Sequence, residues 1–216
     1  MARIAVFGGT FNPIHYGHLL LADEVRERLE LDRVLFVPAG SPPHKSPATL
    51  APAADRHAMV RLAVAGHPRF EVSDLEIGRP GPSYTVDTVE ALAATGDEVF
   101  LIVGSETFLD FLSWRAPRRI AQLSRLVVVP RAGSAFDPES AAAQKVLREI
   151  GADGFAEVDR SGGPARRVLV VRVTSLPISS SELRARAREG RSLAYRLPEE
   201  LIAYIEAHRL YRDRRP

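Results

Sequence analysis

Short apolar runs alternate along the chain with longer stretches in which apolar residues recur every three or four positions. The runs are RIAVFG (Arg3 to Gly8), RVLFVP (Arg33 to Pro38), RFEVSD (Arg69 to Asp74), EVFLIVG (Glu98 to Gly104), RLVVVP (Arg125 to Pro130) and RVLVVRV (Arg167 to Val173). Their length and their Val, Ile and Leu content predict strands, and several are apolar nearly throughout, as strands covered on both faces are. Between them, Ala22, Val25 and Leu29 give one helix its apolar face, and Met59, Leu62 and Ala63 give a second. Ala142, Val146 and Ile150 mark a third, started by Pro138 after Asp137. Strands alternating with helices predict a doubly wound α/β fold on a parallel sheet, one domain over residues 1–216 with the last helix, Pro198 to Leu210, packed back onto it.

Two loops break this rhythm, PAGSPPHKSPATLAPAAD after the second strand and IGRPGPSYTVD after the third. Both are rich in Pro, Gly and Ser, and long loops in compact domains are often functional. A third soft stretch, GADGFAEVDRSGGPARR, reads as a surface excursion.

Composition changes this picture little. A chain of 216 residues, 45% hydrophobic and 26% charged, is ordinary for a globular protein. Its longest apolar runs fall short of the roughly 18 residues a membrane helix needs, and no signal-peptide pattern opens the sequence, so a cytoplasmic protein without a membrane partner is expected. With no cysteine, disulfides, thiolate catalysis and cysteine-ligated metals drop out. Only Lys45 and Lys145 among the 29 basic residues are lysines, so 29 − 2 = 27 are arginines. These are spread along the chain and interleaved with 27 acids, which argues against a nucleic-acid partner.

The chemistry concentrates in FGGTFNPIHYGHL, Phe7 to Leu19, where a strand hands over to a helix. A glycine pair after a strand lets the backbone turn tightly and bring its N–H groups close to a ligand, and the helix start adds partial positive charge. That geometry suits an anion. His15 and His18, three residues apart, share a face if the helix begins near His15, and Gly17 leaves a gap between them. The spacing of zinc-protease histidines is not matched and no third ligand is nearby, so no metal site is expected. Near the other end, ISSSELRAR (Ile178 to Arg186) can cap a new helix with Ser179 to Ser181 and set Arg184 one turn later to grip phosphate.

These two stretches, GGTFNPIHYGHL and ISSSELRAR, resemble the two signatures of the H-x-G-H nucleotidyltransferase superfamily. PPHK, GPSYTVDT, LIVGSETFLDFLSWR and GRSLAYRLPEELIAYIEAHRLY are similar to bacterial nicotinate-nucleotide adenylyltransferases, over nearly the whole chain and most weakly from about Ala132 to Arg167. The resemblance implies a Rossmann-like nucleotidyltransferase fold. It also implies transfer of AMP from ATP to nicotinic acid mononucleotide, with release of pyrophosphate, in NAD biosynthesis.

Residue by residue, the resemblance assigns phosphate binding to Gly8, Gly9, Thr10, Phe11, His15 and His18, and to Ile178, Ser180, Ser181 and Arg184. It gives adenine and ribose contacts to Gly104, Ser105 and Glu106. On the acceptor side it implies Trp114 stacked on the pyridine ring, Tyr84 and Thr85 near the nicotinate carboxylate, His44 and Lys45 in a basic loop, and Arg131 at the acceptor phosphate. His15, His18 and Arg184 are the expected catalytic residues, and Mg²⁺ is expected to bridge the triphosphate, held mostly by phosphate and water. Asn12 stands where the family commonly has Asp, and Glu106 where it usually has Asp. Three rivals remain open: another adenylyltransferase of the superfamily, a nucleotide-sensing module, and an RNA-binding protein. A homo-oligomer is compatible with everything above.

Overall fold

In the computed structural model, residues 1–43, 45–46, 49–130, 136–158 and 167–212 are described. Seven strands form one sheet: β1 (Arg3–Gly9), β2 (Arg33–Pro38), β3 (Phe70–Val72), β4 (Glu98–Gly104), β5 (Arg125–Val129), β6 (Phe155–Glu157) and β7 (Val168–Val170). The order is β3-β2-β1-β4-β5-β7-β6, and every pairing is parallel. The chain runs outward from β1 to β3, then returns to the far side of β1 for β4. The β1/β4 boundary is therefore the point where the winding reverses and the carboxyl ends of the strands open a crevice.

The nearly uniform apolar strands are explained by two cores. Along β1, Ile4 and Val6 point to one face of the sheet while Ala5, between them, points to the other. The Ala5 face is covered by α1 (Tyr16–Arg28), α2 (Ala53–Val64), α7 (Ser180–Arg188) and α8 (Glu199–Ala207), through residues such as Val25, Met59, Leu183 and Leu201. The opposite face is covered by α3 (Thr85–Ala93), α4 (Ser105–Leu109), α5 (Pro117–Leu123) and α6 (Ala141–Ile150), through Val89, Phe108, Ile120 and Val146. Each such side chain, fully buried, contributes about 1.5 to 3 kcal/mol. As expected, α8 packs back: Tyr204 donates its hydroxyl to Asp55 of α2 at 2.8 Å.

The structure corrects three details. The stretch read as a surface excursion contains β6, an edge strand paired to β7. The third helix starts not at Pro138 but behind Ser140, whose hydroxyl accepts the Ala143 N–H. Its buried stripe is Ala143, Val146, Leu147 and Ile150, while Ala142 is exposed.

Candidate active site

The segment from Gly8 to His18 sits at the carboxyl end of β1, where the winding reverses. Gly9 has a steric reason: a Cβ there would stand 3.0 Å from the Phe11 ring, whereas one at Gly8 would meet only open space. Phe11 itself has φ 45°, a left-handed conformation rare for a bulky residue. Its ring is buried against Phe7, Phe36 and His18, so any ligand contact belongs to its backbone and not to the ring.

His15 caps the start of α1 in an extended conformation, and its N–H donates to His18 Nδ1 at 3.2 Å. Because Nδ1 of His18 accepts, the neutral ring carries its proton on Nε2. The two rings lie 3.8 Å apart, as the shared-face expectation requires. Gly17 makes this possible, since a Cβ there would stand 3.0 Å from His15 Nδ1.

The second motif docks directly onto the first. Ser179 caps α7 by accepting the Glu182 N–H, and the next serine, Ser180, donates its hydroxyl to Pro13 O at 2.9 Å. Arg184 donates to Asn12 O at 2.9 Å and to Ser181 Oγ at 3.2 Å. These two bonds use part of a five-donor guanidinium. Gly104 ends β4, the strand beside β1, with Ser105 buried and Glu106 exposed in the first turn of α4. Ile178 is half-buried against the core below.

Asn12 is not a weakened charge here but a two-way hydrogen-bonding group. Its Oδ1 accepts from Ala51 N–H and from the Tyr211 hydroxyl, each at 3.0 Å, while Nδ2 donates to Thr49 O at 3.0 Å. A carboxylate could accept the first two bonds but could not donate the third. Burial pushes the Tyr211 hydroxyl pKa up, with Arg184 and Arg56 pulling the other way.

On the acceptor side, Tyr84 stands at the N-cap of the nine-residue α3 without a side-chain cap bond, and the Asp87 N–H donates to its carbonyl, so the helix start lies at Thr85. Arg115 lies over the Tyr84 ring at 4.8 Å, beside Trp114, which is half-buried and 5.1 Å from Phe111. Tyr84, Thr85 and Trp114 are thus gathered in one place. The two Pro-rich loops are tied beneath them: Ser83 N–H donates to Ser41 O, Ser41 N–H returns to Ser83 Oγ, and a Cβ on Gly40 would collide with the Glu76 carbonyl. Glu76 is buried, accepting from Thr88 at 2.7 Å. Burial raises its carboxyl pKa, opposed by the hydrogen bonds from Thr88 and Ser83.

Lys45 is exposed in its loop. His44 and Arg131 lie outside the described residues. Sequence reasoning missed Arg56, Glu76 and Tyr211. Arg56 had a signal, for it falls on the helix face of Met59 and Val60, three and four residues on, where an apolar residue is the rule.

A strand-end glycine turn, paired histidines and a serine-capped helix brought together from opposite ends of the chain fit one family model, which matches residues 6–186. The chain belongs to the cytidylyltransferase-like family. Within it, the chain falls among the nicotinate-nucleotide adenylyltransferases. A probable member from Roseiflexus sp. (strain RS-1) is 45% identical over 213 residues, 98% of each chain. Another, from Thermus thermophilus, is 43% identical over 212 residues, covering 97% of this chain and 100% of the relative. The fold is shared with the Plasmodium falciparum nicotinic acid mononucleotide adenylyltransferase complexed with NaAD, at TM-score 0.70, 18% identity and 98% coverage of both chains. Among the described residues of this adenylyltransferase no helix is long and apolar enough to cross a membrane, and no group of three His, Asp or Glu could hold a metal ion.

Proposed function

We propose that this cleft binds Mg·ATP and nicotinic acid mononucleotide and transfers AMP from the first to the second, giving nicotinic acid adenine dinucleotide and pyrophosphate. One observation carries the assignment of roles: Ser180 and Arg184 bond to the loop that also presents the histidine pair. Two anion-binding elements therefore face a single space.

The acceptor phosphate is already an anion near neutral pH, so it attacks the α-phosphorus without a general base. A new phosphorus–oxygen bond forms as the bond to the β-phosphate oxygen breaks, and pyrophosphate departs. What the chain supplies is alignment and neutralisation of the charge that develops. His18 Nε2–H and the remaining Arg184 donors serve the phosphates, helped by backbone N–H groups of the Gly9 to Phe11 turn. Gly104, Ser105 and Glu106 border the nucleoside, and Trp114 stacks on the pyridine ring while the start of α3 receives its carboxylate. Mg²⁺ would arrive on the triphosphate's own oxygens. Lys45, His44 and Arg131 remain acceptor-side candidates, and a cytoplasmic setting suits a pathway that uses ATP.

The test is pyrophosphate release from Mg·ATP with nicotinic acid mononucleotide and nicotinamide mononucleotide offered separately. Faster release with the acid supports the reading; faster release with the amide overturns the acceptor, and silence with both overturns the reaction.

A further inference from the structure

Arg56 is the largest fully buried side chain among the described residues, 1% exposed, in the first turn of α2. Among the described residues it forms no ion pair. Its neighbour Asp55 turns to the Tyr204 hydroxyl instead. The position is costly twice over, because a buried cation loses hydration and because a helix N-terminus is itself partly positive. Burial accordingly lowers its pKa.

The guanidinium spends its donors on three backbone carbonyls. Nη1 donates to Thr10 O at 2.8 Å, Nη2 to Gly40 O at 3.0 Å and Nε to Ala51 O at 3.1 Å. These belong to the turn after β1, the loop after β2 and the approach to α2, all at the carboxyl end of the sheet. The Thr10–Phe11 peptide is trans, so drawing its C=O inward to Arg56 leaves the Phe11 N–H facing the opposite side. The same bond fixes the peptide that precedes Phe11, the residue in the left-handed conformation.

We propose that Arg56 is the positioning residue of the triphosphate cradle, fixing the Thr10–Phe11 peptide towards the phosphates and supplying a buried positive charge that the polyphosphate completes. The inference rests on reading the cleft as an ATP site. A lysine keeps the charge but lacks the planar fork that reaches three carbonyls, so geometry and charge are separable.

The experiment compares wild type, Arg56→Lys and Arg56→Gln, each checked for folding by circular dichroism and thermal unfolding, in direct binding of ATP, inorganic pyrophosphate and adenosine. Arg56→Gln is expected to weaken ATP and pyrophosphate binding about tenfold or more while adenosine changes less than about twofold. Arg56→Lys is expected to fall between, about threefold or more below wild type for ATP. Unchanged ATP affinity in a folded variant overturns the proposal, as does an equal loss for adenosine, which would mark general slackening of the fold. If Arg56→Gln does not fold, Arg56→Lys decides by the same criteria. Wild-type protein that binds ATP yet releases no pyrophosphate with either mononucleotide would sink the functional reading and leave the Arg56 comparison readable.

Discussion

His18 is held at three points: by the His15 N–H on its Nδ1, by the His15 ring, and by the edge of the buried Phe11 ring. A donor fixed this firmly costs little reorganisation at the moment of reaction, so His18→Ala should lose about 3 to 4 kcal/mol of transition-state stabilisation, read as kcat on folded protein. Gly17→Ala separates stability from function. Alanine is the better helix former by about 1 kcal/mol, yet its methyl would press on His15, so thermal stability should hold while kcat falls. Glu76 gives a pH signature. Its folded pKa lies above the ordinary 4.5, so the folded protein binds the proton more tightly, and stability is lost as pH rises from about 4.5 through the folded value. Glu76→Gln should remove that slope in denaturant unfolding measured across acid pH. The shared face of the histidines, the gap at Gly17 and the serine cap of α7 were legible in the sequence because their spacing coincides with a strand end and helix starts. Arg56 and Glu76 were not, because a charged residue in a helix or loop reads as solvated until packing shows otherwise.

Among the elements, α7 carries the second motif into place, and its geometry depends on its cap. Ser179→Ala should lower unfolding free energy by about 1 kcal/mol, and loosen Ser180 and Arg184 with it, so that KM for ATP rises as stability falls. The long strands were readable from composition because each is buried on both faces. The edge strand β6 escaped because three residues, two half-buried and Glu157 exposed, are too short to show a period, and only its pairing with β7 makes it a strand. Helix α6 was displaced towards its N-terminus because Pro138 and Asp137 imitate a helix start that Ser140 actually provides.

For the molecule as a whole, alternation was enough to anticipate a doubly wound parallel sheet, but not the contacts that close it. Tyr211 reaches back across 199 positions to Asn12, and Arg184 across 172. Tyr211→Phe should cost about 1 kcal/mol of stability in denaturant titration by removing one of the two donors to Asn12 Oδ1. No local pattern announces such a bond, since neither residue has a neighbour that predicts the other.

The docking of α7 on the Asn12–Pro13 backbone also bears on how the protein comes into being. On the ribosome the glycine turn and both histidines are made first, yet the carbonyls they adjoin find their partners only after Ser180 and Arg184 have been synthesised. A message cut short before that point yields a chain that carries the β1 to β7 segments but lacks the helix that docks on Asn12 and Pro13. On the proposed reading, catalysis is thereby reserved for chains translated past Arg184.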